Sequence, residues 1–288
     1  MPGWLARMLR QFAALGVTVI AGGILTAALV RMSPGFDADE RLLDPRLDAQ
    51  SRAAIRASHG AGENVAVFYV HHVAGMFRGD WGISPSLNAP IDELIRQRLP
   101  VTAEIMALGM AGGWALAFAA ALAAVSWRGW AHAAGALSVT LLSVPAAAVA
   151  VLVFALGGPV RGILALILFP KLFDSIRNLL ADAYAQPHIL AARAKGVGPV
   201  RLLTRHAIPV CAPQLLALAG VSASMAFGAA IPVETLCDLP GIGQLAWKAA
   251  LARDLPLLVT LTMLITLMTQ VCNAVSDWQA GGSREARP

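Results

Sequence analysis

Residues 191–209 read AARAKGVGPVRLLTRHAIP and form a basic, glycine-containing stretch between two apolar runs, 161–181 and 207–235. A helix needs about 20 mostly apolar residues to cross about 30 Å of hydrocarbon. Both runs are long enough, whereas the lysine and arginines between them favour water over lipid. This part of the chain therefore predicts two membrane-spanning helices joined by a polar loop.

The composition extends this prediction to the whole chain of 288 residues, of which 57% are hydrophobic and 14% charged. A soluble domain carries about 25% charged residues. We predict an all-α polytopic membrane protein with about six transmembrane helices. They are expected at residues 11–31, 99–126, 131–156, 161–181, 207–235 and 255–277. The first is predicted to be an uncleaved span, because a secretory signal has an apolar core of only about 7–15 residues.

The fourth span carries three charged residues, Lys171, Asp174 and Arg177. Their spacing of three residues puts them along one helical face, where they can pair. We therefore expect a short span whose charged end lies at the cytoplasmic surface.

The predicted organisation follows from the spans. It comprises a cytoplasmic N-terminus with the first helix (1–31), an extracytoplasmic segment (32–98), a transmembrane core (99–277) with a coupling loop (182–206), and a cytoplasmic tail (278–288) that is disordered at its end. Lysine and arginine favour the cytoplasmic side. The predicted inner segments contain Arg7, Arg10, Arg128, Arg193, Lys195, Arg201, Arg205, Arg284 and Arg287, and the short outer loops only Arg161, Lys248 and Arg253.

The end of the extracytoplasmic segment, residues 88–100, reads NAPIDELIRQRLP. It predicts an amphipathic helix on the outer membrane surface, capped by Asn88, before Pro100 begins the second span. An extended linker is the alternative. Within the second span, Gly109, Gly112 and Gly113 indicate close packing against another helix, as small residues do in lipid.

The loop between the fourth and fifth spans predicts a helix–turn–helix. Pro187 suits a helix start, HILAARAK two turns, and Gly196 a left-handed cap. A second short helix is predicted to lead into Pro209. Ala191 and Ala192 are small enough to let a partner come close. A generic basic loop that holds lipid headgroups is the alternative.

The spacing of Ala191-Ala192, Gly196 and Ile208-Pro209 resembles the cytoplasmic "EAA" loop of ABC importer permeases, especially the ARAKG variant of the dipeptide/oligopeptide/nickel family. Leu190 stands where the general motif has Glu. Residues 233–258 are similar to a family signature made of a Glu-Thr pair, a Pro-Gly pair, a further Gly, an Arg-Asp pair and a Pro. In this sequence these are Glu234-Thr235, Pro240-Gly241, Gly243, Arg253-Asp254 and Pro256. Weaker matches occur in order along the chain at Arg31–Gly35, Gly79–Gly82, Arg98–Thr102, Ser143–Pro145 and Arg177, whereas Phe36, the short loop 157–161 and the tail depart from the pattern.

The resemblance implies two sites. The first docks an ATP-hydrolysing subunit and comprises Ala191, Ala192, Arg193, Ala194, Lys195, Gly196, Arg201, Arg205 and Pro209. The second is a compact re-entrant turn at the outer mouth of the pathway and comprises Glu234, Pro240, Gly241, Gly243 and Asp254. For Glu234 and Asp254, capping at the membrane interface is the alternative.

The implied partners are a second homologous permease subunit, two cytoplasmic ABC ATPase subunits, an extracytoplasmic solute-binding protein and membrane lipid. The implied location is the bacterial inner membrane, with both termini cytoplasmic. The implied solutes are small peptides, nickel chelates or similar molecules. An ion-coupled secondary transporter or a non-transporting assembly subunit are the alternatives.

An enzyme is disfavoured because the sequence contains no HExxH, GxSxG or Walker motif, so another chain must hydrolyse ATP. No cofactor is expected. The adjacent His71 and His72 do not share a helix face, so we expect no metal site there. Cys211, Cys237 and Cys272 are expected to be buried as small apolar groups. The charge of +5 is dispersed and does not predict nucleic-acid binding.

Overall fold

In the computed structural model, the described residues are 3–32, 65–126 and 128–285. The helices are α1 Gly3–Met32, α2 Val65–Phe77, α3 Ile91–Ser126, α4 Arg128–Ser143, α5 Ala146–Ala155, α6 Ile163–Tyr184, α7 Pro187–Ala194, α8 Pro199–Leu202, α9 Ile208–Leu236, α10 Ile242–Leu251 and α11 Leu255–Glu285. Val160–Gly162 forms a 3₁₀ turn and Leu203–Ala207 a π-helical turn, while β1 (Ile83–Ser84) and β2 (Ala89–Pro90) form a hairpin. The chain divides into a first unit (Met1–Thr102 and Pro240–Met268) and a second unit (Ala103–Leu239 and Thr269–Pro288).

Four of the described helical stretches are long and apolar enough to cross a membrane: Ala13–Met32, Ile91–Ala124, Pro199–Leu236 and Leu255–Ala274. The bent pair His132–Ser143 and Ala146–Ala155 makes a fifth if it is one span. These helices confirm the all-α polytopic class. The predicted fourth span is also a helix, α6, but it carries three charged residues and is not among these apolar stretches.

The predicted third span is broken where a straight helix was expected. Its two parts meet at an angle of 105°. Pro145 lies at the break with φ −56° and ψ 141°, an extended conformation. Proline has no N–H to donate and disfavours helical geometry in the residue before it, so the helix ends at Ser143 and begins again at Ala146.

The predicted division at Pro100 into a surface helix and a second span is wrong as a break in the helix, because α3 runs through Pro100 without interruption. The apolar stripe of its first turns, formed by Ile91, Leu94 and Ile95, is buried in the first unit beside Leu245 and Leu257. This stripe therefore packs against protein, and the predicted place of the helix on the membrane surface stays a prediction. The buried contacts outweigh the local preference of proline for a helix start.

Asn88 does not cap α3 but lies in the turn of the β1–β2 hairpin. Its φ is +50°, a left-handed conformation that asparagine adopts more readily than most residues. Its N–H donates to the carbonyl oxygen of Ser84 at 2.8 Å. In the hairpin Ile83 pairs with Pro90 and Ser84 with Ala89.

A second cluster in the first unit joins α1, α2 and α11. Tyr69 is buried there, and its hydroxyl donates to the carbonyl oxygen of Ile20 at 2.9 Å. Gly23 allows this approach, because a Cβ at that position would lie 2.6 Å from the Tyr69 hydroxyl oxygen. Val259 and Met263 of α11 complete the contact.

In the second unit, α6 has one fully buried face, which includes Leu164, Leu168 and Ile176. A Cβ added to Gly109 of α3 would lie 2.6 Å from the Leu164 Cβ, and one added to Gly113 would lie 3.2 Å from the Leu168 Cβ. The predicted role of these glycines in close helix packing is confirmed.

The last helix continues beyond the predicted span end at residue 277 and reaches Glu285. A helix can extend past the hydrocarbon, where water is available to its polar groups. Residues 33–64, which include Pro34, Gly35 and Phe36, and residues 286–288 lie outside the described part of the chain. The predicted domain boundaries stay predictions.

Candidate functional site

The basic loop, defined here as residues 187–209, begins with the two-turn helix α7. Pro187 occupies its first turn, as predicted. Gly196 follows the helix with φ +79°. Its N–H donates to the Arg193 carbonyl at 3.0 Å, and the Val197 N–H donates to the Ala192 carbonyl at 3.3 Å. These two bonds form a Schellman motif, which confirms the predicted left-handed glycine cap.

A buried apolar cluster, the loop core, fixes α7 to its neighbours. It contains Ala183 of α6, Ile189 of α7, Leu202 of α8, Ala207 of the π-helical turn and Cys211 of α9. The Sγ of Cys211 also contacts the Leu179 carbonyl oxygen at 3.2 Å. A helix of two turns is marginal in isolation, so the loop core and the glycine cap together hold α7 in place.

The outer side of the basic loop combines basic and apolar side chains. Leu190 is 50% exposed and Val200 is 74% exposed. The predicted docking residues that are also exposed are Ala191, Arg193, Ala194, Lys195, Gly196, Arg201, Arg205 and Pro209. Apolar side chains exposed next to cations are typical of a surface that a protein partner covers.

Ala192 differs from this set because it packs on the loop core with Val197. Ala192 is half-buried, and its predicted contact with a partner stays a prediction. The Schellman motif brings its third-last helical residue against the residue after the cap, and these are Ala192 and Val197. Ala191 alone keeps the exposed position.

The predicted second short helix of the loop does not stand apart from the fifth span. A helix runs from Pro199 to Leu236 through the π-helical turn Leu203–Ala207. Pro209 cannot donate to the carbonyl of Arg205, and its ring crowds that carbonyl in a regular α-helix. The wider π-turn just before Pro209 accommodates this missing bond.

The Pro-Gly segment, defined here as residues 240–254, belongs to the first unit and contains α10. Gly241 precedes the helix, and the Ile242 N–H donates to the Thr102 hydroxyl at 2.8 Å. That hydroxyl satisfies one of the four N–H groups that a helix start leaves without an intrahelical partner. Gly243 is buried within α10, whereas Pro240 is exposed. The predicted compact turn therefore contains a short helix with one buried face.

Asp254 is 2% exposed and holds several groups together. One carboxylate oxygen accepts bonds from the Ser84 hydroxyl at 2.5 Å and from the Ser86 hydroxyl and N–H at 2.6 and 3.1 Å. The other oxygen accepts the Leu257 N–H at 3.1 Å, three residues on. This is the geometry of an N-cap for α11, so Asp254 does cap a helix, while its predicted place at the membrane interface stays a prediction.

Glu234 belongs to the second unit and the Pro-Gly segment to the first. It is fully buried near the end of α9. The Leu239 N–H donates to the Glu234 carbonyl at 2.9 Å, and Asp238 between them has φ +50°. It is thus the backbone of Glu234 that takes part in the C-terminal cap.

The predicted pairing on α6 is present only in part. Arg177 and Asp174 approach to 3.9 Å, and the Arg177 guanidinium lies 5.5 Å from the centre of the Phe173 ring. Lys171 lies three residues before Asp174, closer to the start of α6, and is exposed.

No group of three or more His, Cys, Asp or Glu side chains that could hold a metal ion occurs in residues 3–32, 65–126 and 128–285. His71 is exposed, whereas His72 is half-buried with its Nε2 2.8 Å from the Thr260 hydroxyl. The Thr260 hydroxyl donates its own hydrogen to the Pro256 carbonyl oxygen, so it accepts a hydrogen bond from the Nε2–H group of His72. Burial lowers the pKa of His72, opposed by the charge of Asp80. Cys211 and Cys237 are buried as predicted, and Cys272 is half-buried.

The model of one protein family, described as binding-protein-dependent transport system inner membrane component, matches residues 113–281. The chain belongs to this family. The match includes the basic loop and the Pro-Gly segment.

Curated relatives extend this family assignment to almost the whole permease chain. It is 25% identical to a probable peptide ABC transporter permease protein of Sinorhizobium fredii, with 94% of this chain and 95% of the relative covered. It is 26% identical to the glutathione transport system permease protein of Salmonella typhimurium, with 94% of each chain covered. The protein is therefore a permease subunit of an ABC importer, a multi-pass protein of the inner membrane that works with other ABC components. The predicted resemblance is confirmed.

Several residues of the two regions were not predicted to take part in them. Ser84 and Ser86 bind Asp254 from 170 and 168 residues away along the chain, and no local pattern signals that contact. Thr102 belongs to a quoted motif, yet the motif did not indicate its bond to Ile242. Leu190 and Val200 are apolar residues in a loop that is otherwise polar. An apolar residue among polar neighbours in a loop could have indicated that it is exposed for contact with a partner.

Proposed function

We propose that the basic loop of this permease is the docking site of a cytoplasmic ATP-hydrolysing subunit. The observation that supports this most directly is the exposed mixture of Leu190, Val200 and basic side chains on a loop held rigidly from beneath. A lipid-binding basic loop needs charge but has no need of a fixed helix. Charge complementarity then sets the orientation of the partner, and the apolar side chains supply contact area.

The loop core gives this docking site a mechanical role. It contains side chains from α6, α7 and α9, so a displacement of α7 is passed to two long helices at once. Closely packed interfaces shift between discrete arrangements and do not deform continuously. Closure of an ATPase pair around ATP would thereby move the permease helices between inward-facing and outward-facing arrangements.

We propose that the Pro-Gly segment lies at the outer mouth of the pathway, beneath a solute-binding protein. In support of this role, hydrogen bonds anchor both ends of the segment: the Thr102 hydroxyl binds the start of α10, and Asp254 binds Ser84 and Ser86. A rigid platform suits a surface that must recognise a docked partner. Glu234 precedes the segment in the sequence, and its carbonyl oxygen accepts the Leu239 N–H in the cap of α9.

The complete importer would contain this chain, a second homologous permease, two ATPase subunits and a binding protein. Both termini of this chain would face the cytoplasm, as the distribution of lysine and arginine favours. The named relatives support small peptides or peptide-like solutes. Nickel chelates stay a prediction of the sequence resemblance.

The docking proposal is tested by charge reversal at Arg193, which is exposed on α7. Arg193→Glu should reduce recovery of the ATPase subunits with the tagged permease and should lower solute-stimulated ATP hydrolysis. Arg78→Glu is the matched control, since Arg78 is exposed in the first unit and carries the same charge. Equal recovery with both variants would contradict the proposal.

Partner and solute are identified by purification of the native complex in mild detergent, followed by mass spectrometry. Two ATPase chains, a second permease and a binding protein are the expected result, and the molecule bound to the binding protein names the solute. Recovery of the chain alone without ATPase activity would instead favour a self-sufficient transporter.

A further inference from the structure

A row of polar side chains runs along α6 on the face opposite its buried side. It comprises Lys171, Asp174, Arg177 and Asn178, and we call it the charged face. The opposite face contains Leu168, Leu172, Ile176 and Leu180, all at most 1% exposed. The helix has 22 residues and is therefore about 33 Å long, the thickness of a hydrocarbon layer.

The charged face borders a cleft of about 430 Å³ between α4 and α6. Its lining residues are His132, Gly135, Ala136, Val139, Asp174, Arg177 and Asn178. Asp174 is held by the Ser138 hydroxyl at 3.0 Å, and Arg177 stacks over Phe173 at 5.5 Å. A Cβ at Gly135 would lie 3.2 Å from Arg177 Nη1, so glycine leaves space for the guanidinium.

In an α6 that crosses the hydrocarbon over its full length, Lys171 would lie too far from either end of the helix to be surrounded by lipid. Eight residues separate it from Ile163 and thirteen from Tyr184, about 12 and 20 Å along the axis. A lysine side chain spans roughly 6 Å and cannot bring its ammonium to the interface from there. An ammonium in the centre of the hydrocarbon costs at least about 2.5 kcal/mol. The exposed charged face must therefore meet water or protein.

We infer that the charged face lines the water-filled translocation pathway and binds a carboxylate of the transported solute. This inference rests on the proposed function, in which the chain forms part of that pathway. Lys171 and Arg177 outnumber Asp174, so the face carries a net positive charge that attracts anionic groups. The planar guanidinium of Arg177 matches a carboxylate in two parallel hydrogen bonds. Asp174 is available to the ammonium group of a zwitterion such as a short peptide.

The test measures reaction of a thiol on the charged face in the assembled importer. Asn178→Cys is introduced with Cys272→Ser, because the other two cysteines are buried. Two methanethiosulfonate reagents that do not cross membranes, one anionic and one cationic, are applied to both sides. The expected result is labelling, roughly tenfold faster for the anionic reagent. Leu116→Cys, at an exposed apolar position of α3, should stay unlabelled.

The charge dependence has its own control pair. Arg177→Gln should remove most of the preference for the anionic reagent, whereas Arg161→Gln, the loss of an exposed arginine near the other end of α6, should preserve it. Trialanine should slow labelling of Asn178→Cys, and trialanine with an amidated C-terminus should not. Equal effects of the two peptides would overturn the carboxylate assignment.

Failure of this inference is distinguishable from failure of the docking proposal. ATPase recovery and ATP hydrolysis are measured on the same Asn178→Cys preparation. A complex that assembles and hydrolyses ATP but leaves Cys at position 178 unlabelled would overturn the pathway assignment alone. Labelling of the isolated chain but not of the complex would show that a protein subunit covers the charged face, which also overturns it.

Discussion

Substitutions of Gly196 at the end of α7 test how ATP hydrolysis is coupled to transport. The backbone angle, the hydrogen bond and the free space at this position are each affected differently by alanine, asparagine and proline. Gly196 has φ +79°, its N–H donates to the Arg193 carbonyl, and a Cβ at its position would have nothing within 4 Å. Alanine therefore meets no steric obstacle and is disfavoured only by the left-handed backbone, by about 1–2 kcal/mol. Asparagine tolerates that conformation better. Proline can adopt neither the φ angle nor the hydrogen bond.

These differences predict an order of activity. A cost of 1 kcal/mol changes the ratio of capped to uncapped α7 about fivefold, so Gly196→Ala should reduce coupling measurably. Gly196→Asn should stay close to the wild-type protein, and Gly196→Pro should lose coupling. The assay compares solute uptake with ATP hydrolysis in proteoliposomes that contain the complete importer and its loaded binding protein.

Gly198→Ser is the matched control within the same loop. Gly198 has φ −63° and ψ 154° and lies at the N-cap of α8, a conformation and position that serine favours. This variant should transport normally. Membrane insertion and thermal unfolding of every variant are measured in parallel. Normal coupling by a well-inserted Gly196→Pro protein would refute the reasoning.

Three further predictions concern stability. Asp254→Ala removes the bonds to Ser84 and the cap of α11, so the free energy of unfolding should fall by about 3 kcal/mol, measured by chemical denaturation in detergent. Gly109→Val places carbon within 2.6 Å of the Leu164 Cβ and should cost about 1–3 kcal/mol, measured as a lower thermal midpoint. Burial lowers the pKa of His72 below its ordinary value of 6.5, so the unfolded chain binds the proton more readily than the folded one. The free energy of unfolding should therefore be constant above about pH 6.5 and fall as the pH drops below it. His72→Gln should weaken this pH dependence.

Each of these predictions has a control on the same chain. Asp92→Ala breaks only a surface ion pair with Arg96 and should change the free energy of unfolding by less than about 1 kcal/mol. Gly228→Val should be tolerated, because a Cβ there meets nothing within 4 Å. His71→Gln alters an exposed histidine and should leave the pH dependence intact. Equal losses in test and control variants would contradict the structural explanation.

Much of the basic loop was predictable because its signals are local. The start at Pro187, the two turns of α7 and the left-handed Gly196 depend on backbone preferences within about ten residues. The break beside Pro145 also has a local cause, although the sequence analysis predicted one uninterrupted span over residues 131–156. Side-chain direction was less predictable, since the cap turns Ala192 inward.

The sequence is sufficient to predict the fold class, because long apolar runs with few charges have no stable alternative to membrane helices. It also determined the close packing at Gly109, where the absence of a side chain is the signal. Tertiary structure alone decided that α3 passes through Pro100, that Asp254 binds serines 168 and 170 residues away, and that the charged face of α6 borders a cleft. These outcomes depend on contacts between distant parts of the chain, and the energy of such contacts exceeds the local preferences from which a sequence is interpreted.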